Sequence, residues 1–431
     1  MSLFLSLFLM MAGGAILYVL FEHFHLPALI GYLLFGILLG WLGLIDDSIL
    51  AISSQIRKIA LIIILSKAGL SLNLSDLKKV GRPAILMSFV PACIEMCAVG
   101  IFAPLLFPLS YTDSFLLGSV LGAVSPAVVV PAMSKLLDEK RGTKKGIPQL
   151  IIAGSSIDDI VMIVFYQAFM TIEKGEKVSY LTFLNIPLSI FSGIAVGVGI
   201  GFLLVLLFAH ISLRDSLKLI LIFGIGFGLT ALEDFLARWF GFSSLLAIIS
   251  LCIVIKAKAE ERAVRLAKRG NQMWVLAEMF LFLLVGASLK MEYTSRYFFL
   301  SIALLTISLS FRSLAVASCL VRTNLNFKER TFVVFSYFPK ATVQAAIGGG
   351  LLDLGNQMLA QKLPNAEPIV QSGVIVLSVS VVSILLTAPL GAILLRLTAP
   401  HLLSDDAKET LEKNDPSPNL SSPFLQKFLG K

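Results

Sequence analysis

Two adjacent aspartates, Asp158 and Asp159, stand in the middle of the apolar run IIAGSSIDDIVMIVFY. An ionisable residue at membrane depth is costly and marks a functional site by default. On a helix, adjacent side chains project about 100° apart. One basic partner therefore cannot readily neutralise both acids, and the unpaired one can exchange a proton for a monovalent cation. Three further charges sit in apolar runs: Glu95 in ILMSFVPACIEMCAVGIFAPLL, Arg312 in ISLSFRSLAVAS and Lys340 in VVFSYFPKATVQAAIGGG. Each of these also fits a buried salt bridge that fixes helix packing. Lys67 and Glu278 lie nearer the ends of their runs, where snorkelling or a local pair suffices.

The elements that must hold these groups follow from composition. Of 431 residues, 57% are hydrophobic and 14% charged, which excludes a soluble enzyme and a disordered chain. Long apolar runs, each near the roughly 20 residues a membrane helix needs, exclude a porin-type barrel, whose strands would show only weak alternation. The expected fold is an all-α polytopic membrane protein with about thirteen transmembrane helices. They lie near 2–21, 26–44, 58–74, 83–107, 113–134, 147–170, 183–209, 216–235, 240–256, 272–289, 297–321, 330–354 and 369–396. Together they make one transmembrane domain over 1–399, followed by a flexible polar tail over 400–431. The opening MSLFLSLFLMMAGG lacks the basic n-region of a cleaved signal peptide and continues as a full span.

Two spans carry breakers at matching positions. The fifth reads GSVLGAVSPAVVVPAM, where Pro126 and Pro131 are expected to interrupt the helix. The twelfth reads SYFPKATVQAAIGGG, with Pro339 and the run from Gly348 to Gly350. Such backbone is tolerated at membrane depth only if buried in protein or lining a wet cavity. Interrupted spans in corresponding positions of two halves point to a transporter binding site. The offset of seven spans relates 1–171 to 216–399 as inverted repeats, with a linker helix over 183–209. The same offset sets the Glu95 span against the Arg312 span, so their opposite charges are expected to meet.

Basic residues favour alternate loops by roughly three to one, which places the N-terminus outside and the C-terminus inside. Arg57 and Lys58 count as outer-loop residues in that reckoning. The segment KAKAEERAVRLAKR, 256–269, reads as an amphipathic helix on the inner surface. The net charge of +8 then records inner loops, and no nucleic-acid partner is expected. Cys93 and Cys97 read as packing residues. His23, His25, His210 and His401 form no metal-spaced cluster. SGIAVGVGIGF, with Gly193, Gly197, Gly199 and Gly201, reads as small-residue helix packing. No phosphate-binding G-x-x-x-x-G-K-[ST] loop occurs, and no cofactor is expected.

The segments GAVSPAVVVP, AGSSIDDI and FPKATVQAAIG, with LSKAGLSL, resemble the monovalent cation:proton antiporter superfamily over roughly residues 10–395, above all its NHA subgroup of sodium/proton exchangers. The resemblance implies an NhaA-like fold: a core domain with two crossing broken helices, a dimerisation domain and an elevator-like movement, in a homodimer. It implies transport of sodium (or lithium) against protons, with Asp159 the essential acid, sodium bound at both aspartates, and Asp158 its neighbour, which is Asp in branches usually electrogenic and Asn in electroneutral ones. Ser125, in the first break, and Ser155, one turn before Asp159, are placed to offer oxygens. Lys340 is placed to complement helix ends or pair with an aspartate. Arg312 stands where electrogenic bacterial members carry a lysine. Arginine is effectively always protonated, so it cannot release a proton, and it is expected to lock to Glu95.

Among rivals, an intramembrane aspartyl protease needs its two acids to share a proton, normally from separate segments. A potassium/proton efflux antiporter usually carries a nucleotide-binding domain that about thirty tail residues cannot form. A gated cation channel of the same superfamily is the other alternative, and a bile-acid-type symporter is not expected to combine SIDDI with PKATVQAAIG. Without a targeting segment, the expected location is the cell (cytoplasmic or inner) membrane, multi-pass, with an animal organellar membrane the alternative.

Overall fold

The structure is a computed structural model. It describes residues 2–24, 26–72, 81–173, 180–236, 241–364 and 366–406, the side chains of Ser156 and 180–187 aside. The expected tail beyond Asp406 lies outside the described residues. So do several loop cations behind the charge bias, among them Lys78, Lys79, Lys174, Lys177 and Arg238.

Among the described residues the chain is helical, with one isolated bridge between Arg141 and Asp405. In chain order the helices are α1 (Leu3–His23), α2 (Ala28–Trp41), α3 (Asp47–Ala51), α4 (Ser53–Ser71), α5 (Arg82–Met87) and α6 (Val90–Leu106). There follow α7 (Tyr111–Leu121), α8 (Pro126–Asp138), α9 (Ile147–Glu173), α10 (Tyr180–His210), α11 (Asp215–Leu236) and α12 (Ser244–Lys258). The last are α13 (Glu260–Ala287), α14 (Met291–Cys319), α15 (Phe327–Ser336), α16 (Thr342–Ile347), α17 (Gly350–Ala360) and α18 (Ala366–Leu402).

Nine helical stretches among the described residues are long and apolar enough to cross a bilayer. The expected spans at 26–44, 58–74, 240–256 and 330–354 are not among them. Helix α2 has 14 residues and α12 has 15, roughly 21 and 22 Å at 1.5 Å per residue, short of a hydrocarbon core of about 30 Å. Helix α4 carries Arg57, Lys58 and Lys67, and 330–354 is divided among α15, α16 and α17. Helix length alone therefore does not yield thirteen.

Two further expectations are corrected. The segment 256–269 is not a separate surface helix. After a cap at Ala259 it runs into the next expected span as the 28-residue α13, because no proline interrupts it. Ala263, Leu266, Gly270 and Trp274 form a buried stripe along it. Arg57 is not a loop residue. It lies in α4 and is buried, with its Nη2 2.7 Å from both carboxylate oxygens of Asp353 in α17.

The helices pack as two groups. One comprises α1, α2, α4 and α10 to α13; the other comprises α5 to α9 and α14 to α18. Close backbone approach organises the first group. Gly193 and Gly201 lie against α12, where an added Cβ would stand 2.5 Å from the Ser243 carbonyl oxygen and 2.9 Å from that of Leu251. Gly197 meets α12 at Ala247 between them, whereas Gly199 faces nothing within 4 Å. In the second group, Ser110–Asp113 and Asn326–Glu329 form reciprocal capping boxes at the starts of α7 and α15. In each box both side chains accept from the other residue's backbone N–H, which fixes where both interrupted segments begin.

The end of α18 is clamped to the α8–α9 loop. Gly142 N–H donates to the Ser404 carbonyl at 3.0 Å, and Asp406 N–H to that of Lys140 at 3.1 Å. The Asp406 carboxylate accepts from Thr143 Oγ1 and Lys144 N–H, each at 2.8 Å, and from Ser404 Oγ at 2.8 Å. Burial alone would raise the Asp406 carboxyl. The Lys144 amide and the Thr143 and Ser404 hydroxyls outweigh burial and hold it below the ordinary value of 3.8. A carboxylate depressed in the folded state stabilises it above the unfolded pKa and loses that contribution as pH falls through the folded one. Hydrogen exchange at Gly142 is therefore expected to stay slow from neutral pH down to about pH 5 and to speed up only below the ordinary carboxylate range. Asp406→Ala should make it fast throughout.

Candidate functional site

The fifth expected span breaks where α7 ends at Leu121 and α8 starts at Pro126. Proline at the first helical position has no N–H to leave unpaired, so the sequence restarts the helix there. Pro131, expected to break the segment too, lies inside continuous α8. It stands within the second turn, where a missing N–H costs the helix only one early hydrogen bond. The twelfth span breaks over 337–341, which contains Pro339, and turns again at Gly348 and Gly349 between α16 and α17. The two breaks touch backbone to backbone: Ser125 N–H donates to the Pro339 carbonyl at 2.8 Å. Lys340 N–H donates to Thr387 Oγ1 of α18 at 2.9 Å.

The carbonyls freed by the first break are taken up by side chains. Gln344 Nε2 donates to the Val120 carbonyl at 3.0 Å and the Ala123 carbonyl at 2.9 Å. Lys340 Nζ donates to the Leu121 carbonyl, and Arg312 Nη1 to that of Gly122. Every one of these groups is buried, as they must be to avoid unpaired backbone in an apolar medium.

Around this crossing the charges join across four elements. Arg312 of α14 binds Glu95 of α6 through Nη1, and its Nη2 lies 3.0 Å from Asp158 Oδ2 of α9. Lys340 Nζ lies 2.8 Å from Glu95 Oε1. Val124 N–H donates to Asp158 Oδ2 at 3.3 Å. The Arg312 guanidinium also sits over the Tyr337 ring, 5.4 Å from its centroid. Glu95, Asp158, Arg312 and Lys340 are each 0% exposed and Asp159 is 8% exposed.

Arg312 meets Glu95 as expected, but it divides itself between two acids. A planar fork of five donors suits this division. Lys340, expected on helix ends or an aspartate, pairs with Glu95 instead. Among the described residues Asp159 has no ion pair, and its Oδ1 has no hydrogen-bond partner. Ser125 Oγ is likewise buried without a partner, while Ser155 Oγ donates to the Ile152 carbonyl at 3.3 Å. With all five groups ionised, three carboxylates face two cations, a net charge of −1. One proton or one monovalent cation at Asp159 brings the ring to neutrality.

Sequence reading did not single out Gln344, Tyr337 or Thr387. Gln344 left a signal, an amide inside an apolar run; Tyr337 and Thr387 are ordinary in such segments.

A cavity of about 280 Å³ lies between the two helix groups, walled by Arg57, Leu61, Tyr166, Thr230, Phe242 and Ile347. Tyr166 follows Asp159 by seven residues, two turns along one face of α9 or roughly 10.5 Å. The Arg57–Asp353 pair spans the wall from one helix group to the other.

A family model for the sodium/hydrogen exchanger, transmembrane, matches residues 7–398. The chain is 34% identical over 399 residues to human sodium/hydrogen exchanger 9B2, covering 88% of this chain and 70% of that protein. With human sodium/hydrogen exchanger 9B1 it shares 30% over 394 residues, 88% of this chain and 73% of that one. Among solved structures, the sodium proton antiporter MjNhaP1 from Methanocaldococcus jannaschii superposes with a TM-score of 0.80 at 21% identity. That match covers 93% of this chain and 99% of the other and is a likeness of fold.

Proposed function

Since the chain belongs to the sodium/hydrogen exchanger family, we propose that it is a secondary active sodium (or lithium)/proton antiporter in which the two ions compete at Asp159, beside Asp158. The observation that carries this reading is the unshared acid. Arg312 already holds Asp158, whereas Asp159 has no ion pair among the described residues.

With Asp159 protonated or sodium-loaded, the crossing carries no net charge and can move through the bilayer. With Asp159 empty it carries one uncompensated negative charge, which is too costly to move. Coupling follows from that asymmetry, and no ATP is required. The same count gives one proton per sodium. Asp158 is fixed by an arginine that does not deprotonate, and only Asp159 cycles. The transport is therefore electroneutral in this reading.

The moving body is the group containing both breaks and α9, and the other group is the scaffold through which a homodimer forms. The Arg57–Asp353 pair joins scaffold to core, so it must part when the core moves. The charge bias places the N-terminus outside and the C-terminus in the cytoplasm of a cell membrane. On that orientation Tyr166 and the cavity it lines lie on the outer side of Asp159.

Proteoliposomes with an internal pH dye test this reading. Sodium and lithium should drive proton flux that is unchanged when the membrane potential is clamped. Flux elicited by potassium alone would favour a potassium efflux antiporter. Sodium current without proton flux would favour a gated channel. A clamp-sensitive exchange would refute the one-for-one count while leaving antiport intact.

A further inference from the structure

Buried hydroxyls on the helices around the crossing nearly all return to a carbonyl of the preceding turn. Ser380 donates to Val376, Ser383 to Ser380, Thr387 to Ser383 and Ser308 to Leu305. Ser125 and Thr342 do not. Ser125 precedes α8 and Thr342 is the first residue of α16, so neither has a preceding helical turn to accept its proton. Both are 0% exposed, and both hydroxyls lack a partner among the described residues.

Gln344 adds an oxygen of fixed identity. Its nitrogen donates to two carbonyls, and the flipped amide would set oxygen against oxygen. Its Oε1, also buried, has no donor. Eleven buried side-chain polar atoms have no hydrogen-bond partner among the described residues, and one of them, Glu95 Oε1, is held by its ion pair with Lys340. Five are oxygens carried by the two broken segments and the aspartate pair: Ser125 Oγ, Thr342 Oγ1, Gln344 Oε1, Asp158 Oδ1 and Asp159 Oδ1. The Ser125–Pro339, Val124–Asp158 and Gln344–Ala123 hydrogen bonds join the first break to the second and to α9, and Thr342 stands two residues before Gln344. Leaving several such acceptors unsatisfied in one place is unfavourable. A hard cation, which takes oxygen ligands, satisfies several at once.

We propose that the second broken segment supplies ligands to the transported cation: Thr342 Oγ1 and Gln344 Oε1 complete the oxygen shell with Ser125 and the two aspartates. This rests on the antiporter reading above and extends the site beyond the residues that the sequence motifs single out.

The test compares Thr342→Val, which keeps shape and removes the oxygen, with Thr342→Ser, which keeps the oxygen. Wild type and variants are reconstituted, and half-saturating sodium and lithium are measured by proton flux. Thermal unfolding in detergent is measured in parallel with sodium chloride, lithium chloride or choline chloride. Thr342→Val is expected to raise half-saturating sodium about tenfold, the effect of losing one ligand of roughly hydrogen-bond strength. The maximal rate should fall much less, and Thr342→Ser should restore near-normal affinity. Gln344→Leu should shrink the sodium-induced rise in melting temperature beyond any change seen in choline.

Unchanged half-saturation in Thr342→Val would overturn the assignment of Thr342 while leaving antiport standing. An equal loss of maximal rate in the valine and serine variants would also overturn it, since that marks a structural role. If valine is not accommodated, Thr342→Ala carries the same expectation. Sodium stabilisation of the wild type, reduced in Thr342→Val, without any cation-driven proton flux would support the ligands and refute the antiport reading.

Discussion

Asp159→Asn is expected to abolish sodium-driven proton flux, a fall on the order of a hundredfold or more, while leaving a protein that folds. Asparagine neither takes up a proton nor supplies a negative charge. It keeps the shape of the site and leaves the Glu95–Arg312–Asp158 ion pairs untouched. The ring around it, two acids against Arg312 and Lys340, is then neutral without any bound ion. The substitution thus removes the competition between proton and cation at its source. The stabilisation of the wild type by sodium over choline should vanish with it. Asp158→Asn is the control. It removes the carboxylate that Arg312 holds but keeps the acid proposed to cycle, so weakened exchange is expected to persist. Flux surviving in Asp159→Asn and lost in Asp158→Asn would reverse the assignment.

Arg312→Ala should be the most destabilising single change at the crossing. It strips Asp158 of its cation, leaves Glu95 with Lys340 alone and uncovers the Gly122 carbonyl, all in buried surroundings. Breaking a buried ion pair from one side typically costs about 3–5 kcal/mol. Here two pairs lose the same partner. The measurement is the midpoint of thermal unfolding in detergent, together with the yield of monodisperse protein. Arg312→Lys should be milder but not neutral, because a single ammonium cannot reach both carboxylates in the geometry of the guanidinium fork. If Lys in this place instead releases a proton during the cycle, exchange becomes sensitive to a potential clamp. An Arg312→Ala protein as stable as wild type would mean that the ion pairs do not hold the crossing.

The folding consequence of the breaks ties these predictions together. Ser125 and Pro339 meet through their backbones, and Lys340, Gln344 and Arg312 cover the carbonyls left open between Val120 and Ala123. The same cations therefore do two jobs, satisfying backbone at membrane depth and setting the charge around Asp159. A substitution at Lys340 or Arg312 will change stability and transport together, whereas one at Asp159 separates them.

Much of this was legible in the chain itself. Long apolar runs declare membrane helices because a helix in lipid must satisfy its own backbone over a fixed thickness. Pro126 and Pro339 declare breaks because a missing N–H is a local fact. Two adjacent acids in SIDDI announce a site wherever that helix packs. These signals act within a turn or two of chain. Where local signals were weak, the reading went astray. Arg57 stands at the edge of an apolar run, where a loop is the expectation, yet it lies inside α4. Pro131 looked like a second break, and 256–269 looked like a helix of its own.

Only the tertiary structure decided who pairs with whom. Glu95 and Arg312 alone are 217 residues apart in the chain, Lys340 lies farther on still, and the pairings depend on how three helices and the second break meet. The sequence could say that opposite charges should find one another. It could not say that Arg312 would divide itself between Glu95 and Asp158, or that Lys340 would turn to Glu95 and Asp159 would have no counter-charge among the described residues. Hydropathy and proline act along the chain and are read from it. Charge neutralisation acts through space, over a few ångströms set by packing, and the acid left over is a property of the assembled bundle.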